Sequence, residues 1–183
     1  MALTESTMLE LGTTAPEFAL RDVVTGKTVR RDDFKGQQGM LVMFICTHCP
    51  YVKHIETGLA QLGADYAGKL GIVAISSNDA QNYTDDSPEG LKKQAQRLGF
   101  KFPYLYDETQ AVARTYQAAC TPDIYLFDKD FKLVYRGQFD GARPRNTVPV
   151  TGEDLRAAMD AVLRGEKPSA EQKASIGCNI KWK

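Results

Sequence analysis

Apolar residues along this chain alternate between short unbroken runs and stretches in which they return every third or fourth position, the rhythm of alternating strands and helices. Met40-Leu41-Val42-Met43-Phe44-Ile45 is continuously apolar. A run so short, bounded by polar residues, predicts a central strand buried on both faces. From Tyr51 to Tyr66, the residues Val52, Ile55, Leu59, Leu62 and Tyr66 recur at helical spacing, and Gly68 can close the segment. Gly71 to Ser76 is a second short apolar run, placed where a parallel neighbour would follow a crossover helix. The pattern predicts a strand–helix–strand unit around Cys46 and Cys49.

Flanking segments extend the picture. Phe18 to Asp22 and Thr28 to Arg31 bracket the turn-like Val24-Thr25-Gly26-Lys27, which predicts an N-terminal β-hairpin. Ser87-Pro88 supplies an N-cap and first-turn pair for a helix to about Leu98, and Asp107 with Gln110 resembles a capping box for a helix through Tyr116. Asp123 to Asp128 and Lys132 to Gly137 read as a second hairpin. Thr151 is placed to cap a last helix carrying Leu155, Met159, Val162 and Leu163 on one face and closed by Gly165. Pro168 to Lys183 has no clear period and is expected to be a C-terminal tail. With 183 residues, no repeat and no low-complexity tract, the expected organisation is one α/β domain spanning 1–183 with residues 168–183 as that tail.

Charge narrows the function classes. Lys plus Arg and Asp plus Glu both number 23. With no long basic run, nucleic acid and anionic membranes are not expected partners. The first residues lack a basic segment followed by an apolar one, and no stretch has the apolar length of a membrane span, so a cytoplasmic location is expected. The chain has no phosphate-binding glycine loop, dinucleotide fingerprint or paired catalytic carboxylates, so no cofactor is expected.

Chemistry concentrates on four cysteines, too few for a secreted disulfide scaffold: Cys46 and Cys49 together, Cys120 and Cys178 alone. Cys46-Thr47-His48-Cys49 lies at a strand-to-helix junction, where two thiols at this spacing can form a reversible disulfide. Cys46 is expected near the positive end of the helix dipole and to be the nucleophile; Cys49, one turn into the helix, is expected to resolve the mixed disulfide. His48 can hydrogen-bond to or pair with the Cys46 thiolate and lower its pKa, or lie exposed without effect. A zinc site would need Cys120, Cys178, His48 and His54 to converge, because a second Cys-x-x-Cys is missing; no bound metal is expected. Cys120 and Cys178 taken singly read as small buried hydrophobes.

These residues resemble the thioredoxin-like superfamily, in particular its redoxin branch of alkyl hydroperoxide reductase and thiol-specific antioxidant proteins. Gly12-Thr13-Thr14-Ala15-Pro16-Glu17-Phe18-Ala19-Leu20 is similar to that branch's opening Gly-x-x-Ala-Pro-x-Phe-x-Leu, and Cys46-Thr47-His48-Cys49-Pro50-Tyr51-Val52 resembles a peroxiredoxin-like subgroup with a Cys-x-x-Cys. The resemblance implies a three-layer α/β fold with a central mixed sheet, an N-terminal hairpin and a C-terminal extension. It places Pro122 where the superfamily has a cis-proline facing the redox cysteines, with the backbone of Thr121 free to pair with an incoming peptide strand. Ser175 to Trp182 looks like the subgroup's closing signature, which makes Cys178 a candidate third thiol.

Two departures qualify what carries over. Thioredoxin has a tryptophan directly before its first cysteine and a buried aspartate six residues before it, where this chain has Ile45 and Met40. Peroxiredoxins have Thr-x-x-Cys at this turn and a later arginine, where this chain has Cys46 and Pro122. The leading expectation is thiol–disulfide oxidoreductase chemistry at Cys46 and Cys49, supported by His48, Thr47, Pro122 and Thr121. Its partners would be protein disulfides and reductants of the thioredoxin or glutathione type. A thiol peroxidase acting on hydroperoxides, with Cys178 able to condense with an oxidised cysteine, is the alternative, and a metal-binding or structural protein on the same scaffold is a third.

Overall fold

A computed structural model describes residues 2–183. In chain order the elements are β1 (Leu3–Glu5), β2 (Ala19–Asp22), β3 (Thr28–Arg30), β4 (Gly39–Phe44), α1 (Pro50–Asp65), β5 (Gly71–Ser76), α2 (Pro88–Leu98), β6 (Tyr104–Tyr106), α3 (Ala111–Thr115), β7 (Cys120–Thr121), β8 (Asp123–Asp128), β9 (Leu133–Arg136), α4 (Glu153–Leu163) and β10 (Ile176–Asn179). The main sheet has seven strands in the order β3-β2-β6-β5-β4-β8-β9. Pairing is parallel between β4 and β5 and between β5 and β6, and antiparallel elsewhere, as the expected mixed sheet requires.

All six residues of β4 are buried, because layers cover both sheet faces. Leu41, Met43 and Ile45 cluster with Ile72, Ala74, Ile124 and Leu126 and with apolar residues of α1, α2 and α4. The alternate residues Met40, Val42 and Phe44 cluster with Val73, Ile75, Tyr125 and Phe127, and this face is closed by Val112 and Ala113 of α3, Tyr116, and Leu9, Ala15 and Phe18 of the N-terminal segment. The period-two alternation of a strand therefore splits one continuous apolar run between two cores. The strand ends where the motif begins, which delivers both cysteines into the helix-covered core.

Several boundaries differ from the sequence expectation for identifiable reasons. The helix after the cysteines starts at Pro50, with Cys49 as its N-cap, because proline is pre-shaped for the first helical position. Asp107 does accept the N–H groups of Val112 and Ala113, yet the residue before α3 is Gln110 in a left-handed conformation, and its side-chain amide donates to the carbonyls of Ser77 and Lys181. Helix α4 starts after Gly152, at φ +71°; the Thr151 hydroxyl does accept the N–H of Glu153, the first helical residue, while the N–H groups of Thr151 and Gly152 are both taken by Asp140.

The largest difference lies in the tail. Residues 176–179 form β10, the middle strand of a small antiparallel sheet in the order β1-β10-β7 that ties both ends of the chain to the centre of the molecule. Among the described residues no helix is long and apolar enough to cross a membrane.

Leu59, fully buried on α1 within the helix-side core, is a direct probe of this packing. Leu59→Ala is expected to lower unfolding free energy by about 2–5 kcal/mol, read as a lower denaturant midpoint at unchanged slope.

Candidate active site

Cys46 follows β4 by two residues and Cys49 caps α1, so the Thr47–His48 turn bridges strand and helix. Pro122 forms a cis peptide with Thr121, as the resemblance implied. Thr121 is the hub of the site. Its hydroxyl lies 3.4 Å from the Cys46 sulfur, and its carbonyl accepts a hydrogen bond from the Cys49 thiol at 3.4 Å. The Cys178 sulfur is 2.8 Å from that of Cys49. Cys46 and Cys49 are 0 % exposed and Cys178 is 4 % exposed, so three thiols share one nearly dry space.

Burial raises the cost of every thiolate, and the three sulfurs do not share that cost equally. Cys46 is pushed well above the ordinary thiol range by burial, by the neighbouring Cys49 sulfur and by the Asp86 carboxylate. Cys49 moves the other way, to about 4, held down first by the thiol of Cys46 against the opposing effect of burial, and then by the thiol of Cys178. Cys178 is pushed up to about 12 by burial and by the same contact with Cys49. Position favours charge in the same direction, since Cys49 caps the start of the sixteen-residue helix α1. This reverses the expectation that Cys46 would lie against the helix N-terminus with Cys49 a turn inside; starting the helix at Pro50 moves the dipole one full motif along.

The expected pairing of His48 with the Cys46 thiolate is also corrected. The His48 Nδ1 lies 2.5 Å from Oδ2 of Asp86, and its ring stacks on Tyr83 with centroids 5.3 Å apart. Asp86 is fully buried. It accepts from the Thr47 N–H and hydroxyl at 2.7 and 2.6 Å and from the Asn78 side-chain amide at 2.8 Å. Burial pushes the Asp86 carboxyl up, but the hydrogen bonds from His48, Thr47 and Asn78 outweigh it, and the net pKa is below 3.8. Histidine thus acts on the carboxylate that fixes the turn.

Two further residues escaped sequence reasoning. Gln94 of α2, buried, donates to the Cys46 carbonyl at 3.1 Å and accepts from the Tyr104 hydroxyl at 2.9 Å. Asp86 belongs to a stretch whose polar, acidic composition signals only a loop; its one local hint is the position directly ahead of the Ser87 cap. The backbone of Thr121, expected to be free for an incoming strand, is already paired, because Cys178 and Asn179 of β10 lie opposite Thr121 and Cys120. Cys120 stays apart from the other thiols, with its sulfur 3.6 Å from the Pro122 carbonyl, and is pushed far up by burial.

The four residues considered for zinc do not assemble. Among the described residues, the donor atoms that do gather are those of Cys46, His48 and Asp86, within 4.8 Å of one another. Two of the three are already committed to each other through the histidine–carboxylate contact.

A Cys-x-x-Cys closing a central strand, a helix that starts on its second cysteine and a cis-proline loop packed against both define the thioredoxin-like class. The chain belongs to the AhpC/TSA family, whose signature matches residues 11–136. It is 28% identical over 159 residues to thiol-disulfide oxidoreductase ResA of Geobacillus thermodenitrificans, covering 87% of this chain and 82% of the relative. An uncharacterized conserved protein from Geobacillus kaustophilus has the same structure throughout, with a TM-score of 0.97 at 56% identity over 100% of this chain and 97% of that one. A hypothetical protein from Sinorhizobium meliloti gives a TM-score of 0.96 at 48% identity, covering 98% of each chain. The thioredoxin domain of a thiol-disulfide oxidoreductase from Bacteroides vulgatus shares the fold at 20% identity, with a TM-score of 0.60 over 81% of this chain and 96% of that domain.

Asp86→Asn replaces an acceptor that takes hydrogen bonds on both oxygens with a group that must donate from one of them. A loss of about 1–3 kcal/mol is expected at neutral pH. The folded-state pKa is below the ordinary 3.8, so the carboxylate's contribution is complete above that value and is lost as pH falls through the lower folded one. Denaturant unfolding of both proteins across pH 7 to 2 should show the difference shrinking only at the acid end.

Proposed function

We propose that this protein is a thiol–disulfide oxidoreductase that reduces protein disulfides through the Cys46/Cys49 pair. The observation that carries the reading is a thiolate-favouring sulfur at a helix N-cap with a second thiol of the same Cys-x-x-Cys beside it. The name of the ResA relative and the family match support the same chemistry. In the reaction, the Cys49 thiolate attacks one sulfur of the substrate disulfide and the other substrate sulfur leaves as a thiolate. Cys46 passes its proton to that leaving group and attacks Cys49. This expels the reduced substrate and leaves a Cys46–Cys49 disulfide.

The remaining residues have supporting roles. Thr121, on the cis-proline loop, holds both sulfurs, while Asp86 with Thr47 and His48 fixes the turn between them. Asp86 also discourages charge on Cys46, which directs it to Cys49. Substrates approach along the groove of about 520 Å³ that opens beside Thr47, lined among others by Lys53, Lys93, Gln94 and Arg97. A cytoplasmic setting, with reductants of the thioredoxin or glutathione type, returns the pair to the dithiol and sets the reductive direction.

Reduced protein should keep thiolate absorbance at 240 nm as pH falls to about 4, the value for Cys49, and Cys49→Ser should remove that signal. Insulin reduction followed by turbidity should drop to background in Cys49→Ser. An undiminished rate in that variant would sink the proposal, and rapid hydroperoxide consumption with negligible insulin reduction would replace it with a peroxidase.

A further inference from the structure

We propose that Cys178 is a second resolving thiol for Cys49, so that the active site is a three-thiol relay whose third member is carried by the C-terminal strand. This rests on the proposed exchange chemistry at Cys49 and extends it to a residue 129 positions away in sequence.

The placement of Cys178 is built. Its sulfur is in contact with that of Cys49 at 2.8 Å, and its backbone lies opposite Thr121 on one side and Leu3 on the other. Gly177 is the residue that permits this approach, since a Cβ there would lie 1.9 Å from the Thr121 carbonyl oxygen and 3.2 Å from Pro122. Beyond it, the Ile180 N–H donates to the Ala119 carbonyl, and the Lys181 N–H donates to Asn78, the residue that also donates to Asp86. The Arg114 guanidinium stacks over the Trp182 ring at 4.5 Å. The segment is thus pinned on both sides of Cys178, and through Asn78 it is joined to the turn between the motif cysteines. Cys120 is the internal control. It is equally buried and comes from the strand beside β10, yet its sulfur donates to the carbonyls of Pro122 and Ser175 rather than to a thiol.

The chemistry closes without a further reagent. After the Cys49 thiolate has opened a disulfide of the substrate, the mixed disulfide at Cys49 is flanked by two thiols. If Cys178 attacks, the Cys49–Cys178 bond forms, the Cys49–substrate bond breaks, and the substrate sulfur leaves with the Cys178 proton. Two thiols have lost one electron each and one substrate disulfide has gained two. Cys46 can then attack Cys49, forming Cys46–Cys49 and returning the proton to Cys178, with no net change in oxidation state. The two internal disulfides differ in consequence: Cys49–Cys178 locks β10 covalently over the site, whereas Cys46–Cys49 leaves that strand held by hydrogen bonds and packing.

The test treats reduced full-length protein with glutathione disulfide, quenches with acid, caps free thiols with N-ethylmaleimide and maps linkages by mass spectrometry. Cys46→Ser should convert the Cys49–glutathione adduct into Cys49–Cys178, and the adduct should accumulate at least about tenfold more in Cys46→Ser/Cys178→Ser. Gly177→Ala with all thiols retained displaces β10 and should slow Cys49–Cys178 formation relative to Cys46–Cys49. Equal adduct in the single and double variants, with Cys178 capped, would overturn the proposal, as would Cys49–Cys178 formation untouched by Gly177→Ala. Cys178→Ser tests the underlying reading separately: a Cys46–Cys49 bond there upholds exchange at the motif. Its absence, alongside Cys49–Cys178 in Cys46→Ser, would overturn that pairing and leave the Cys178 proposal standing.

Discussion

A thiolate without water around it must be held by whatever donors the fold places within reach, and this constraint organises the centre of the molecule. Strand β4 is buried on both faces, and the motif that follows it enters the core with both cysteines fully enclosed. Solvation cannot stabilise a negative sulfur there, so short-range partners and the helix end must do so. Cys49 has them: the N-cap of α1, the thiols of Cys46 and Cys178, and the Thr121 side chain. Cys46 has the opposite surroundings, with burial and the Asp86 carboxylate both opposing charge. The asymmetry of the pair therefore has two sides: Cys49 caps the helix that starts at Pro50, and the Asp86 carboxylate opposes charge on Cys46.

Asp86 is the second buried charge near the site, and the way it is satisfied explains why it can remain there. Its oxygens take hydrogen bonds from Thr47, His48 and Asn78, which compensate for lost solvation and keep the carboxylate charged. The cost of moving any one of these groups is then shared by all of them. The Thr47–His48 turn is consequently tied at three points to one buried carboxylate, which restrains how the two flanking sulfurs are presented.

Most of the main sheet was readable because its signals are local. The β2–β3 hairpin, β4, β5, α2 with its Ser87 cap, and β8 each carry their own periodicity or punctuation. The cysteine pair was readable for the same reason, since spacing and position at a strand end are properties of one short segment. What escaped was tertiary. The start of α4 depends on Asp140, the start of α3 on a glutamine reaching Lys181, and the orientation of His48 on a carboxylate 38 residues later. Apart from its place directly ahead of the Ser87 cap, Asp86 is separated from the acidic loop around it only by its burial.

The tail shows the limit of periodicity most clearly, and it also shows where specificity is stored. Ser175 to Trp182 is too short and too mixed to declare a strand, because β10 draws its stability from hydrogen bonds to β1 and β7 rather than from an apolar face of its own. Such a strand forms only when both partners are already in place, so its register reports on the assembled site. Gly177 makes that dependence sharp: the close approach to Thr121 is possible for a residue without a Cβ and for no other. The same geometry that hid this segment from the sequence therefore places it where redox chemistry at Cys49 and the structure of the chain terminus act on each other.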